Sequence, residues 1–245
     1  MPTMPGTCAS RSVVSVARLT TNGLPDPTFR GGGKFTMLLD NRSSEARGVA
    51  IQADGKIVVA GLTNIGGFGV ARFDANGDND FTFDGDGQAL TSIPGLNSPR
   101  TVLIQPDGKI LLAATFFSGT NTDFAVLRYN ANGSLDTTFD GDGLAVVPAG
   151  DNNDNAYAMA LQPDGRIVVG GLAGTNTSSF CCDFGFVRLT STGSLDTTFD
   201  VDGRLAFGMG SFLAQVRSIA IQNDGKIVAA GYGDDDFAIV RLNPN

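Results

Sequence analysis

An all-β fold built from repeated four-stranded units is what this sequence predicts, and three observations predict it. The pattern at Ala160–Val169, a hydrophobic run ending in Gln, an Asp-Gly pair, a basic residue and a second hydrophobic run, recurs at Ala50–Val59, Leu103–Leu112 and Ala220–Ala229. A strand-like segment carrying an arginine recurs five times, at Arg18, Arg72, Arg128, Arg188 and Arg241, with spacings of 54, 56, 60 and 53 residues. Composition is the third: there are 33 glycines, and Glu45 is the one glutamate among 25 acidic residues. Asp favours turns and caps where Glu favours helix, so helix should be scarce.

Residues 1–11 have no periodicity and read as a disordered leader, without the basic start and apolar core of a signal peptide. A half-unit follows at 12–46, with a strand at Val13–Leu19 and another at about Lys34–Leu39. Units are expected at about 47–98, 99–154, 155–213 and 214–245. In each, a first strand (such as Gly48–Gln52) and a second (such as Lys56–Gly61) form a hairpin across Asp-Gly. That pair suits a type I′ turn, whose two central residues need positive φ. The third strand carries the arginine and ends at Asn22-Gly23, Asn76-Gly77, Asn132-Gly133 or Thr192-Gly193, a further turn signal. A fourth strand, such as Leu144–Val147, completes the unit. Four antiparallel strands in 53 to 60 residues is the unit of a β-propeller blade. The prediction is a β-propeller of about four blades, or a segment of a larger one.

First strands alternate large apolar residues (Ile51 and Val49; Leu161 and Met159) with small ones (Ala50 and Gly48; Ala160 and Ala158). Such a strand fits the crowded inner edge of a blade, covered on both faces. The half-unit opens the chain with a third and a fourth strand, and the chain closes on a first, second and third. The opening fourth strand could therefore complete the last blade and close a four-bladed ring, or the units could belong to a longer array.

Gln105-Pro106-Asp107-Gly108-Lys109-Ile110, the strand Phe124–Asn130 and Asn132-Gly133-Ser134-Leu135-Asp136-Thr137-Thr138-Phe139 resemble delta-60 repeats, bacterial repeat sequences that form β-propellers. The resemblance runs in register from about Val13, and the first copy departs most, at Leu24–Phe29. It implies an extracellular or cell-surface bacterial protein and attaches no activity.

The formal charge of −8 argues against nucleic acid or an anionic membrane surface as the main partner, and no apolar run is long enough to span a membrane. With no His and no Trp, the usual general base and every Ser-His or Cys-His nucleophile arrangement are missing. Cys8, Cys181 and Cys182 lack metal-ligand spacing. For Cys181 and Cys182, two unpaired thiols are a simpler reading than a strained vicinal disulfide.

Residues that recur in every unit are most simply explained by the fold. Arg18, Arg72, Arg128 and Arg188 are each followed eight residues later by an Asp (Asp26, Asp80, Asp136, Asp196), which predicts four charge-assisted contacts from third strand to following loop. Phe29, Phe83, Phe139 and Phe199 should plug the spaces between blades. The acidic pairs Asp84 and Asp86, Asp140 and Asp142, and Asp200 and Asp202 offer hard oxygen ligands on Gly-rich loops, so Ca2+ is a candidate ion; their spacing does not match an EF-hand, and Asp-Gly-Asp-Gly is also simple turn chemistry.

Five residues before each repeated Gln stand Arg47, Arg100, Tyr157 and Arg217, at the start of the innermost strand. Around a central channel these would converge at one mouth and could hold an anion such as a carboxylate or an acidic sugar. Solvated arginines balancing Glu45 and Asp154 are the plainer alternative. The variable loops Leu62–Gly67, Phe116–Asp123, Ala173–Asp183 and Tyr232–Asp236 should surround that mouth. Three functions compete. A noncatalytic module binding a protein or glycan leads; a glycan-active enzyme would need two carboxyls roughly 5–9.5 Å apart, which nothing singles out; an architectural spacer needs no site. The chain is expected to be a monomer or part of a longer array.

Overall fold

The computed structural model describes residues 12–64, 67–175, 182–209, 213–234 and 236–244; the expected leader, 1–11, lies outside them. Every Asp-Gly pattern is a hairpin, but not of the type the pair suggests. Gly55, Gly108, Gly165 and Gly225 have positive φ, 82° to 86°, and the preceding aspartates do not. The Gln52 carbonyl accepts from Gly55 N–H, and Gln52 N–H donates to Lys56. This is a longer loop closed by a left-handed Gly, rather than a two-residue type I′ turn. Asp54 keeps negative φ, and its carboxylate accepts from the Lys56 N–H at 3.1 Å.

Three antiparallel four-stranded sheets follow one another in sequence. They are β3 (Ser44–Ile51), β4 (Ile57–Thr63), β5 (Phe68–Phe73) and β6 (Gln88–Thr91); β7 (Leu96–Ile104), β8 (Ile110–Phe117), β9 (Thr122–Tyr129) and β10 (Leu144–Val147); and β11 (Asn155–Leu161), β12 (Ile167–Gly174), β13 (Cys182–Leu189) and β14 (Arg204–Phe207). Before them β1 (Val14–Ala17) pairs with β2 (Lys34–Met37); after them stand β15 (Ala214–Ile221), β16 (Ile227–Gly233) and β17 (Asp236–Leu242). Thus β2 is bonded to β1 and does not complete the last sheet, whose order is β15-β16-β17.

The core lies between sheets. Val58, Phe68 and Val70 of one blade pack with Leu112, Leu127 and Tyr129 of the next, and the same arrangement joins the second blade to the third and the third to the last. In the three four-stranded sheets the second and third strands are therefore buried on both faces, which is why they are almost wholly apolar in sequence.

The repeated arginines tie blade to blade. Arg72 Nε donates to Asp80 at 2.7 Å, its Nη1 to the Ala131 carbonyl in the next blade, and its guanidinium lies 4.7 Å from the Phe83 ring centre. Arg128 makes the same set with Asp136, Ser191 and Phe139, and Arg188 with Asp196, Pro244 and Phe199. Lys56, Lys109 and Arg166 of the Asp-Gly hairpins add a second cation to the same three aspartates, at 2.8 to 2.9 Å. A threonine two residues on caps the other carboxylate oxygen, as Thr138 does for Asp136 at 2.7 Å. Burial alone would push Asp80 and Asp136 up. Hydrogen bonds from Thr82 and Lys56, and from Lys109 and Thr138, outweigh it and hold both well below the usual carboxylate range.

Candidate functional site

The innermost strands β3, β7, β11 and β15 stand side by side, and each carries a break in register. Arg47 is the extra residue between Ala46 and Gly48, Tyr157 between Ala156 and Ala158, and Arg217 between Val216 and Ser218. In the second blade the break is wider, from Asn97 to Thr101, and contains Arg100. The four predicted residues thus lie inside the strand at a β-bulge and not at its start, because the first strands begin earlier than their pattern suggests. A bulge bends its strand and re-aims the extra side chain.

The partner strand accommodates it with glycine. A Cβ on Gly61, Gly171 or Gly231 would meet the carbonyl oxygen of Glu45, Asn155 or Gln215 at 2.3, 1.9 or 2.0 Å. The second blade has Ala114 in that place, opposite its wider break.

Three of the four residues come together. The Arg217 guanidinium carbon lies 4.5 Å from the Tyr157 ring centre and 5.5 Å from that of Tyr232, and Arg100 lies 5.5 Å from Tyr157. Thr101 Oγ1 donates to the Tyr157 carbonyl at 3.1 Å, joining the second and third blades at this point. Among the described residues no carboxylate pairs with Arg100 or Arg217. Arg47 is engaged elsewhere, with Glu45 at 2.9 Å, beside a 340 Å³ concavity shared with Ser15, Val16 and Val49. Tyr232, expected at the start of a surrounding loop, instead lies within β16 as the residue after Gly231 and faces the Arg217 bulge, and the mid-strand glycine is the signal that could have marked it as a site residue. Of the surrounding loops, 65–66, 176–181 and 235 lie outside the described residues, and Cys181 with them.

The acidic pairs sit in tight turns. Asp84, Asp140 and Asp200 take left-handed φ of 51°, 49° and 44°, as Arg30 does at 50° in the first copy. Asp86, Asp142 and Asp202 each accept the backbone N–H two residues on, at 2.8 to 3.0 Å. Each turn therefore brings two carboxylates, one of them engaged by its own backbone, and among the described residues no cluster of three or more acidic or sulfur ligands forms. Burial and the charge of Asp142 push the Asp140 carboxyl up.

One carboxyl breaks the repeat. Asp154 is fully buried and accepts the N–H groups of Ala149, Gly150 and Gly174 at 2.7, 3.0 and 2.8 Å. Burial pushes it up to about 6 despite those bonds, and the charge of Asp123 adds to the rise.

Stacked four-stranded antiparallel sheets, tied at recurring arginines and lined along one edge by first strands, define a β-propeller repeat domain. The sequence matches the profile of the family described as "Domain of unknown function (DUF5122) beta-propeller" at residues 52–83, 105–139, 162–199 and 222–245, and the chain belongs to that family. A comparison with curated protein sequences gave no match. Among solved structures, a protein of unknown function from Bacteroides caccae aligns over 88% of this chain and 69% of its own, with 14% identity and a TM-score of 0.50. A gluconolactonase from Xanthomonas campestris aligns over 79% and 57%, with 15% identity and a TM-score of 0.46. A catalytically inactive virginiamycin B lyase from Staphylococcus aureus aligns over 83% and 57%, with 11% identity and a TM-score of 0.46. The first of these likenesses is one of fold, and the chain spans between 57% and 69% of the length of these three proteins.

Proposed function

We propose that this domain is a noncatalytic binding module of a secreted or cell-surface bacterial protein, and that it holds an acidic glycan or other carboxylate at the mouth formed by Arg100, Tyr157 and Arg217. The observation that carries the reading is the meeting, on one tyrosine, of two guanidinium groups without a carboxylate partner among the described residues, in a chain whose formal charge is −8. A guanidinium stacked on a ring keeps its N–H fork free for a bidentate carboxylate, and the ring gives a sugar an apolar face to rest on. The contributing strands are fixed in the blade stack, so little ordering is needed on binding. Asp154, the carboxyl pushed up to about 6, has both oxygens committed to backbone N–H groups, which supports a binding role over acid–base catalysis. The bacterial, extracellular setting rests on the resemblance to delta-60 repeats.

The chain has no Trp and three Tyr; two of these, Tyr157 and Tyr232, touch Arg217, so tyrosine fluorescence reports on the site. Titration with oligogalacturonate is expected to change that signal in a salt-sensitive way, with the neutral oligosaccharide inert. Arg100→Gln and Arg217→Gln should each weaken binding about tenfold or more, the loss of a charge-assisted contact. Equal response to the neutral sugar, or indifference to both substitutions, would sink the proposal.

A further inference from the structure

Among the described residues, the head face of β1 and the tail face of β17 are uncovered, and they are complementary halves of one repeated interface. At the tail, Phe237 and Ile239 occupy the register of Phe68 and Val70, Phe124 and Val126, and Phe184 and Phe186, every one of which is buried under the following blade. In the last blade they are 77% and 59% exposed. Arg241 stands where Arg72, Arg128 and Arg188 reach across to the carbonyl of the next blade. It is exposed, and its side chain makes no hydrogen bond or ion pair among the described residues.

At the head, the outer face of β1 and its turn hold the receiving positions. Leu19 is 59% exposed where Phe73, Tyr129 and Leu189 are buried. The Thr21 carbonyl corresponds to those of Ala75, Ala131, Ser191 and Pro244, each of which accepts from the arginine of the preceding blade. No donor reaches it among the described residues. The turn at Gly23 is bare, whereas Gly77 and Gly193 lie directly under Phe29 and Phe139.

We propose that the tail of one copy docks on the head of a second copy, extending between chains the interface that repeats within the chain. Phe237 and Ile239 then cover Leu19, and Arg241 donates to the Thr21 carbonyl. The occupant is a second copy because the uncovered face continues an existing blade-to-blade interface, and the matching face is carried by the same chain. The contact is weaker than its intrachain counterparts: Lys34 and Thr36 on the head stand where the second blade presents Leu144 and Val146, so less apolar area is removed from water. Association is therefore reversible and concentration-dependent. Head-to-tail contacts are heterologous and give a closed ring or an open chain according to their rotation.

Light scattering over a concentration series, in the absence of glycan, tests this separately from anion binding. Wild type is expected to gain mass with concentration. Leu19→Asp and Phe237→Asp, both at exposed positions, should each leave a folded monomer by circular dichroism. Mixed in equal amounts, the two variants should form a dimer and nothing larger, because the Leu19→Asp copy keeps an intact tail and the Phe237→Asp copy an intact head. A monomeric wild type at every concentration overturns the proposal and leaves the tail to a different partner. Variants that associate like wild type, or a mixture that stays monomeric when wild type does not, overturn it equally, since they indicate a different or a symmetric contact.

Discussion

Arg128 shows how a single residue recurs for structural reasons. It pairs with Asp136 at 2.7 Å, donates to the Ser191 carbonyl of the next blade and stacks on Phe139, all with little exposure to water. The Asp and Phe partners reappear at the same offsets around Arg72 and Arg188, with the next blade's carbonyl at a varying one, so the motif Arg, then Asp eight residues on, then Thr, then Phe is one clasp written in sequence. Buried ion pairs gain little over an apolar replacement, but removing one partner strands the other charge. Asp136→Asn should therefore destabilise the domain by about 3 kcal/mol in urea titration. Asp26→Asn should cost markedly less, because the first clasp is wetter: the Arg18 and Asp26 side chains are 32% and 20% exposed. Equal costs at the two sites would show that burial is not what makes the clasp matter.

The bulge is the element that turns a scaffold strand into a site. Gly171 faces the Tyr157 bulge so closely that any side chain there overlaps the Asn155 carbonyl. Gly171→Ala should cost roughly 1–3 kcal/mol through forced backbone displacement, and it should shift tyrosine emission by moving Tyr157. Unchanged emission would mean that the bulge does not set the aim of the ring. The sequence made the blades legible because apolar alternation, turn residues and the arginine clasp all repeat, and each copy confirms the others. It showed the four site positions through a fixed offset from Gln, but not their geometry. Glycine in the middle of Val58–Thr63, Val168–Ala173 and Val228–Gly233 was the available sign of a bulge. The stacking of two arginines on one tyrosine could not be read, since it depends on how far each bulge swings its side chain. The hairpins also read only in part: Asp-Gly signals a turn, but loop length, set by how far the flanking strands pair, decides which one.

At the scale of the whole molecule, an acidic protein with no His owes its pH dependence below neutrality to its carboxylates, and these pull in two directions. Asp80, Asp136 and Asp196 are held below the usual range in the folded chain, where burial is outweighed by hydrogen bonds and nearby cations. Their contribution is complete above the unfolded carboxylate pKa, about 4, and is lost as pH falls below it, because the unfolded chain then binds protons that the folded chain refuses. Asp154 runs the other way. Burial raises it to about 6 in the folded chain from 3.8, so between those values the folded state holds the extra proton and stability falls as pH rises. Asp123, raised by its own burial, adds to that slope. The thermal midpoint should therefore be highest near pH 4, falling steeply below it as three clasps open, declining more gently up to about pH 6, and levelling off above that. In Asp154→Asn the neutral-side slope should flatten while the acid limb stays, whatever the substitution costs at every pH through lost acceptors. A wild-type midpoint that climbs steadily from pH 4 to 7 would mean that Asp154 stays ionised in the fold, its three N–H donors outweighing the loss of water.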